Sequence, residues 1–204
     1  MLKKILIVLL ILAICGGIVA IFHNIRVALR NKKELSAFAK AIPYNAKLGK
    51  VLVVYYSLTQ HTHDIANQIA KLTNADIYRI QTEEELKPSL SFYSRVKKDL
   101  KNKTYPALKG QMPNVDDYDI IFVGSPVWWY TMATPMYSFL GQTDFKGKKV
   151  IPFSTQGSNP GNFLQDFNAN AKNAEIGTYA NFNNVNAKYN EAVNNKIAHW
   201  LNNL

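Results

Sequence analysis

Twelve consecutive residues, Val51-Leu52-Val53-Val54-Tyr55-Tyr56-Ser57-Leu58-Thr59-Gln60-His61-Thr62, constrain this chain more than any other stretch. The first six are apolar or aromatic and mostly β-branched, the pattern of a strand buried on both faces. The next six are almost all polar and rich in hydroxyls. Ile65, Ala66, Ile69, Ala70 and Leu72 then recur at helical spacing. A buried strand that runs through a hydroxyl-bearing loop into a helix aims free backbone N–H groups and the positive helix end at one point. An anion such as a phosphate is stabilised there.

The charge distribution narrows the partners. The formal net charge is +10, but nine of the 24 bases and one of the 14 acids fall in residues 1–50, giving +8 there. Residues 51–204 hold fifteen bases against thirteen acids, only +2. The basicity therefore belongs to the N-terminal segment, where a membrane surface explains it better than a duplex-binding face. No helix carries a basic stripe, so nucleic acid is not an expected partner. The single cysteine, Cys15, rules out an intrachain disulfide.

Ile5–Phe22 contains no charge and no strongly polar side chain, and it is flanked by Lys3 and Lys4 before and by Arg26, Arg30, Lys32 and Lys33 after. As a helix it spans about 27 Å at ~1.5 Å per residue, close to a hydrocarbon core of ~30 Å. The expectation is an uncleaved single-pass anchor over residues 1–24. Two readings compete with it: a cleavable signal, for which the Cys-Gly-Gly-Ile-Val-Ala-Ile-Phe end is a poor cleavage site, and a lipid-modified Cys15, for which Ile14 stands where a small residue is usual. The larger set of bases after the apolar run, Arg26 to Lys40, puts the folded domain on the cytoplasmic side. Residues 25–48 form a basic juxtamembrane segment, either a helical stalk or a solvated linker. Pro43 and Gly49 end it.

From residue 49 to 204 strands alternate with helices. Expected strands are Val51–Tyr56, Ala75–Ile80, Ile120–Gly124, Lys148–Phe153 and a weak fifth near Ile176–Phe182. Gly124-Ser125-Pro126 is expected to end the third strand sharply. Expected helices after the first are Leu90–Leu100, Ala133–Leu140 with Thr131 as N-cap, Asn162–Ala171 and Ala187–Leu201. The pattern predicts an α/β fold, a parallel sheet with helices on both faces. Ligands of such sheets gather beyond the carboxyl ends of the strands, where three loops are unusual: Ser57–Thr62, Ser125–Tyr130 and Ser154–Ser158. Hydroxyls and a helix start, then large aromatic rings, then small residues suit a ligand with a phosphate at one end and a flat ring at the other. His61, His63 and Asp64 are too crowded to match zinc-ligand spacing, so no metal is expected.

These motifs support a resemblance. Val-Tyr-Tyr-Ser-Leu-Thr-Gln-His-Thr (54–62), Asp-Tyr-Asp-Ile-Ile-Phe-Val-Gly-Ser-Pro-Val-Trp-Trp-Tyr-Thr-Met (117–132) and Phe-Lys-Gly-Lys-Lys-Val-Ile-Pro-Phe-Ser-Thr-Gln-Gly-Ser (145–158), with Tyr105-Pro106-Ala107-Leu108, make residues 49–204 resemble the flavodoxin-like FMN-binding proteins. The resemblance implies a three-layer sandwich around a five-stranded parallel sheet of order 2-1-3-4-5. It implies that Ser57, Thr59, His61 and Thr62, with the amides of Leu58 to Thr62 (Gln60 included), line the phosphate site. It further implies that Pro126, Val127, Trp128, Trp129 and Tyr130 flank the isoalloxazine ring, and that Thr155, Gln156 and Gly157 meet its pyrimidine edge. The chain departs from the family at Thr59-Gln60-His61-Thr62, where Thr-Gly-Asn-Thr is usual; Gln60 lacks the freedom of glycine if a left-handed turn is kept. The implied function is a membrane-tethered carrier that binds FMN and moves electrons to an unknown redox partner protein. The alternatives are an NAD(P)H-dependent flavin or quinone reductase, for which no separate dinucleotide fingerprint is present, and a module that has lost its flavin.

Overall fold

The computed structural model describes residues 2–89 and 91–204. In chain order its elements are α1 (Leu2–Ser36), β1 (Val51–Tyr55), α2 (His61–Thr73), β2 (Asp76–Arg79), α3 (Phe92–Asn102), β3 (Ile120–Trp128), β4 (Thr131–Met132), α4 (Thr134–Gln142), β5 (Lys149–Gln156), α5 (Phe163–Asn170), β6 (Glu175–Ile176), β7 (Ala180–Asn183) and α6 (Asn190–Leu201). Single 3-10 turns stand at Val115–Asp117 and Ala187–Tyr189.

β1 is buried along its whole length because alternate side chains serve two cores. Leu52 and Val54 join Ile121 and Val123 under Phe92, Val96, Met136, Phe139, Phe163 and Phe167 of α3, α4 and α5. Val51, Val53 and Tyr55 join Phe122 and Phe153 under Ile65 and Ile69 of α2 and Ile197 and Trp200 of α6. The result is a helix–sheet–helix sandwich with parallel pairing throughout its main sheet. The order is β2-β1-β3-β5 followed by β6 and β7. The ring of Phe153 covers Gly124, where a Cβ would come within 2.0 Å of it, so the middle of β3 admits only glycine.

Four expectations need correction. The fifth strand is split: Lys149 pairs with Glu175, but Phe153 pairs with Ala180, so one extra residue is accommodated across Gly177–Tyr179. The sheet thus has seven strand segments rather than five, although the expected order survives. β3 does not stop at Gly124-Ser125-Pro126; it continues to Trp128, with Pro126 paired to Thr155 of β5. Pro126 is tolerated because parallel pairing to one neighbour does not demand its missing N–H. Thr131 is not the N-cap of α4. It lies in β4, antiparallel to β3, and Ala133 precedes the helix. β5 also runs on to Gln156, so Ser154, Thr155 and Gln156 are strand residues. Leu90, expected to open the third helix, lies outside the described residues, and α3 begins at Phe92.

α1 is one helix of 35 residues. Its exposed part, through Arg26, includes a stretch of mean hydropathy 3.3, long and apolar enough to cross a membrane. From Val27 onward a helical stripe turns to the domain: Asn31 and Leu35 are buried, and Val27 and Glu34 half-buried. Lys196 Nζ of α6 donates to Glu34 Oε1 at 2.6 Å, and Asn183 Nδ2 to Asn31 Oδ1 at 2.8 Å. Beyond Ser36 the chain follows α6, where Asn195 Nδ2 donates to Phe38 O and Asn202 Oδ1 accepts from Asn45 N. Between a helical stalk and a solvated linker, residues 25–36 take the first form, and the stretch after them is held against the domain.

Candidate functional site

The three loops singled out in the sequence leave the same edge of the sheet, after β1, β3 and β5. The first turns from β1 into α2 through Gln60, at φ 68° and ψ −20°. The left-handed turn is therefore kept although glutamine occupies it. Gln60 makes no side-chain cap, and the first backbone bond of α2 runs from Asp64 N to Gln60 O at 2.9 Å. Among the described residues, the amides of Ser57 through His63 have no protein acceptor. Ser57 is buried, and its Oγ also lacks a partner among the described residues. A buried hydroxyl without a partner costs about 1–3 kcal/mol unless a ligand meets it. This cluster of donors at a helix start fits a phosphate.

The other hydroxyls and imidazoles of the loop are used differently. Thr62 Oγ1 and Thr155 Oγ1 bond each other at 2.8 Å, both buried, and so clamp α2 to the end of β5. Thr155 thereby sits beside the first loop. Thr59 and His61 are exposed, and Leu58 half-buried. His63 is structural: its Nδ1 meets Tyr55 OH at 2.6 Å and its Nε2 meets Asn67 Nδ2 at 2.8 Å. Arg79, which the sequence reading missed, donates to Ser57 O at 3.2 Å and brings a positive charge under the loop.

The second loop is a hairpin tip. β3 and β4 pair through Val127–Met132 and Trp128–Thr131, with Trp129 at φ 50° and Tyr130 at φ 65° between them. Two successive residues at positive φ make the turn that matches strand twist, normally filled by Asn-Gly. Here two aromatic residues hold it. Asn162 N donates to Tyr130 O at 2.8 Å, and Gly161 packs so closely on Tyr130 that a Cβ would lie 2.2 Å from its carbonyl oxygen. Trp129 Nε1 donates to Tyr93 O at 2.7 Å, and Lys97 Nζ lies 4.8 Å from its ring centroid. Below the tip, Thr131 Oγ1 donates to Asp166 Oδ2 and accepts from Tyr137 OH, whose pKa burial pushes up to about 12.

Trp128 and Trp129 divide their work. Trp128 is buried edge-on against Phe92 and Tyr56, at centroid distances of 5.1 and 5.6 Å. Trp129 and Tyr130 are exposed. Together with Tyr93, Val127, the edge of Trp128, Gln156, Gly157, Ser158 and Asn159 they line a cleft of about 400 Å³, within the size range of small-molecule sites. Gly157 is exposed. Gln156 is buried: its Nε2 donates to Asn181 Oδ1 (2.9 Å) and Asn183 Oδ1 (3.1 Å), and its Oε1 accepts from Ser154 Oγ. Ser154 in turn accepts from Tyr179 OH, whose pKa burial raises to about 12. The side-chain amide of Gln156 is thus engaged within the sheet. Tyr93, Ser158 and Asn159 are cleft residues that the sequence reading did not assign to the ligand. Only Ser158 carried a signal, as the end of the third loop.

Solved structures share this architecture. A flavoprotein from Lactobacillus acidophilus, solved in complex with FMN, matches at a TM-score of 0.60 and 23% identity over 65% of this chain and 93% of its own. Proteins assigned as flavoproteins from Bacteroides uniformis (TM-score 0.63, 27% identity, 75% of this chain, 97% of theirs) and Bacteroides eggerthii (0.60, 26%, 75% and 96%) are similar in the same way. The family model described as Flavodoxin matches residues 50–204, three quarters of the sequence, and the chain therefore belongs to the flavodoxin family.

Proposed function

We propose that this protein is a membrane-tethered flavodoxin that binds FMN at the carboxyl edge of its sheet and passes electrons through it. The observation that carries the reading is the pairing of two features on one edge: a loop of open amides around the buried, unpartnered Ser57 Oγ, and an aromatic cleft at the neighbouring strand ends. The structural relatives add support, since one of them was solved with FMN.

On this reading the amides of Leu58 to Thr62 and the hydroxyls of Ser57 and Thr59 donate to the phosphate. The start of α2 and Arg79 offset its charge. Trp129 and Tyr130 give the flat ring aromatic faces, while Trp128 anchors the hairpin in the core. Pro126 and Val127 form the approach to that wall, and Thr155, Gln156 and Gly157 close the opposite side. FMN, when bound, supplies the redox chemistry. No side chain acts as an acid or base: Tyr137 and Tyr179 stay protonated through neutral pH and serve to hold the loops. α1 anchors the chain as a single pass, and the bases from Arg26 to Lys40 keep the domain on the cytoplasmic side.

The test is to purify the full chain in detergent and record its visible spectrum, then release the chromophore with acid and identify it by mass. A flavin band with stoichiometric FMN is expected. A colourless protein that also leaves the fluorescence of added FMN unchanged refutes the reading.

A further inference from the structure

We propose that the flavin cleft faces the membrane, its aromatic rim resting against the headgroups of the bilayer that α1 enters. This rests on the tethered-flavodoxin reading and adds an interaction surface to it.

The orientation follows from the path of the chain. Arg30 of α1 donates to Ser158 O, two residues past the end of β5. Asn31 accepts from Asn183, the last residue of β7. Glu34 pairs with Lys196, one turn and a half into α6. Lys50 N then bonds Asp119 Oδ2 at 2.7 Å, both residues immediately preceding the starts of β1 and β3. From residue 30 to residue 50 the chain therefore descends from the carboxyl edge of the sheet to its amino edge. The free part of α1 stands above the carboxyl edge, which is the cofactor edge. Arg30 stands eight residue steps along the helix from Phe22, the end of the apolar run, an axial rise of about 12 Å at ~1.5 Å per residue. The headgroup layer occupies roughly 5–7 Å of that. The Ser158 loop, which lines the cleft, is left within one or two side-chain lengths of the bilayer.

The surface chemistry agrees. Outside α1, four large apolar side chains are exposed among the described residues: Ile77 at 44%, Tyr93 at 56%, Trp129 at 42% and Tyr130 at 64%. Three of the four border this cleft. Tyr and Trp are the residues that settle at the headgroup level, with an apolar body and a polar handle. Lys97 lies over Trp129, Arg30 of the stalk reaches the Ser158 loop, and Arg26, Lys32 and Lys33 stand on the same stretch of the stalk, a set complementary to anionic lipid. The consecutive acids Glu83, Glu84 and Glu85 follow β2 at the same carboxyl edge, laterally four strand spacings of ~4.8 Å (about 19 Å) from the stalk side, where Glu84 and Glu85 line a pocket with Arg95. A cleft placed this way meets redox partners held in the same membrane before those dissolved in water.

The experiment uses the full chain with Cys15→Ser, carrying one spin-labelled cysteine at a time, in phosphatidylcholine–phosphatidylglycerol vesicles doped with a nickel-chelating headgroup lipid. Asn159→Cys reports the cleft rim, Lys188→Cys repeats the reading at the same edge, and Lys47→Cys reports the opposite end; all three positions are exposed. Relaxation enhancement by the surface nickel is expected to be at least fivefold larger at 159 and 188 than at 47. Equal enhancement at the two ends, a larger value at 47, or none at any site overturns the proposal. A protein extracted by alkaline carbonate overturns it together with the tether. A colourless protein that keeps the 159-over-47 contrast supports the orientation and counts only against FMN.

Discussion

Gln60 makes the sharpest prediction, because backbone geometry and side-chain chemistry can be separated there. It sits at φ 68° with an exposed side chain that makes no capping bond, so it contributes strain without a compensating contact. A non-glycine residue in the left-handed region costs about 1–2 kcal/mol. Glycine removes that cost but brings about 0.5–1 kcal/mol of extra unfolded-state entropy. Gln60→Gly is therefore expected to stabilise the flavin-free protein by about 0.5–1 kcal/mol, a rise of roughly 1–4 °C in Tm for a chain of this size. Gln60→Ala keeps the Cβ and should stay within about 0.5 kcal/mol of the wild type. Thermal unfolding of the full chain in detergent, followed by tryptophan fluorescence, measures both. Because glycine also lets the Gln60 amide approach a phosphate more closely, FMN should bind Gln60→Gly a few-fold more tightly. A Gly variant that is less stable than the wild type, or no better than Ala, refutes the account of this loop.

Further expectations use other parts of the site. Ser57→Ala removes a buried hydroxyl that has no protein partner, so the flavin-free Tm should hold or rise while FMN affinity falls about tenfold; paired melts and fluorescence titrations separate the two effects. Trp129→Asn with Tyr130→Gly supplies the residues that the φ 50° and φ 65° turn prefers, and should raise flavin-free stability by about 1–2 kcal/mol in urea while weakening FMN. Glu34→Ala leaves the mostly buried Lys196 ammonium without its carboxylate, held by Asn181 O and the Phe182 ring, and should destabilise the domain by about 1–2 kcal/mol, visible as faster proteolysis between residues 37 and 50. Bonds from Asn173, the Lys146 amide and Lys172 hold the Asp144 carboxyl at about 2, below its ordinary value of 3.8. A lowered native pKa stabilises above the unfolded value and is lost as pH falls through the native one. The stability gap between wild type and Asp144→Asn should thus be constant above pH 5 and close between pH 4 and 2.

The sequence showed most clearly what repeats along the chain. Val51–Tyr55 declared a doubly buried strand because each of its residues faces a core, and Ile65, Ala66, Ile69 and Ala70 declared the buried stripe of α2. The loops at the carboxyl ends of the strands followed from the same strand–helix alternation, and the sheet order came with the resemblance. What stayed hidden depends on contacts distant in sequence or on broken local rules. Pro126 reads as a strand end, yet β3 passes through it because β5 pairs alongside and Thr131–Met132 folds back. Trp129-Tyr130 gives no turn signal, since aromatic residues rarely take positive φ; Asn162, Gly161 and Tyr93 hold them there from elsewhere. Nor could spacing show that Gln156 turns inward, because Asn181 and Asn183 lie 25 and 27 residues away. The docking of the stalk was likewise invisible: Asn31 and Glu34 look like ordinary polar residues of a basic segment until Asn183 and Lys196 are placed beside them.

The central claim is that the first loop reads a phosphate while the hairpin reads a flat ring. Titrating the flavin-free full chain with FMN and with riboflavin, by quenching of flavin fluorescence, tests both halves at once. The account predicts saturable binding of each at one site, with riboflavin at least ~100-fold weaker, since it forfeits two or more charge-assisted hydrogen bonds of about 1.5–3 kcal/mol each. Equal affinity for the two ligands, or binding of neither, would contradict it.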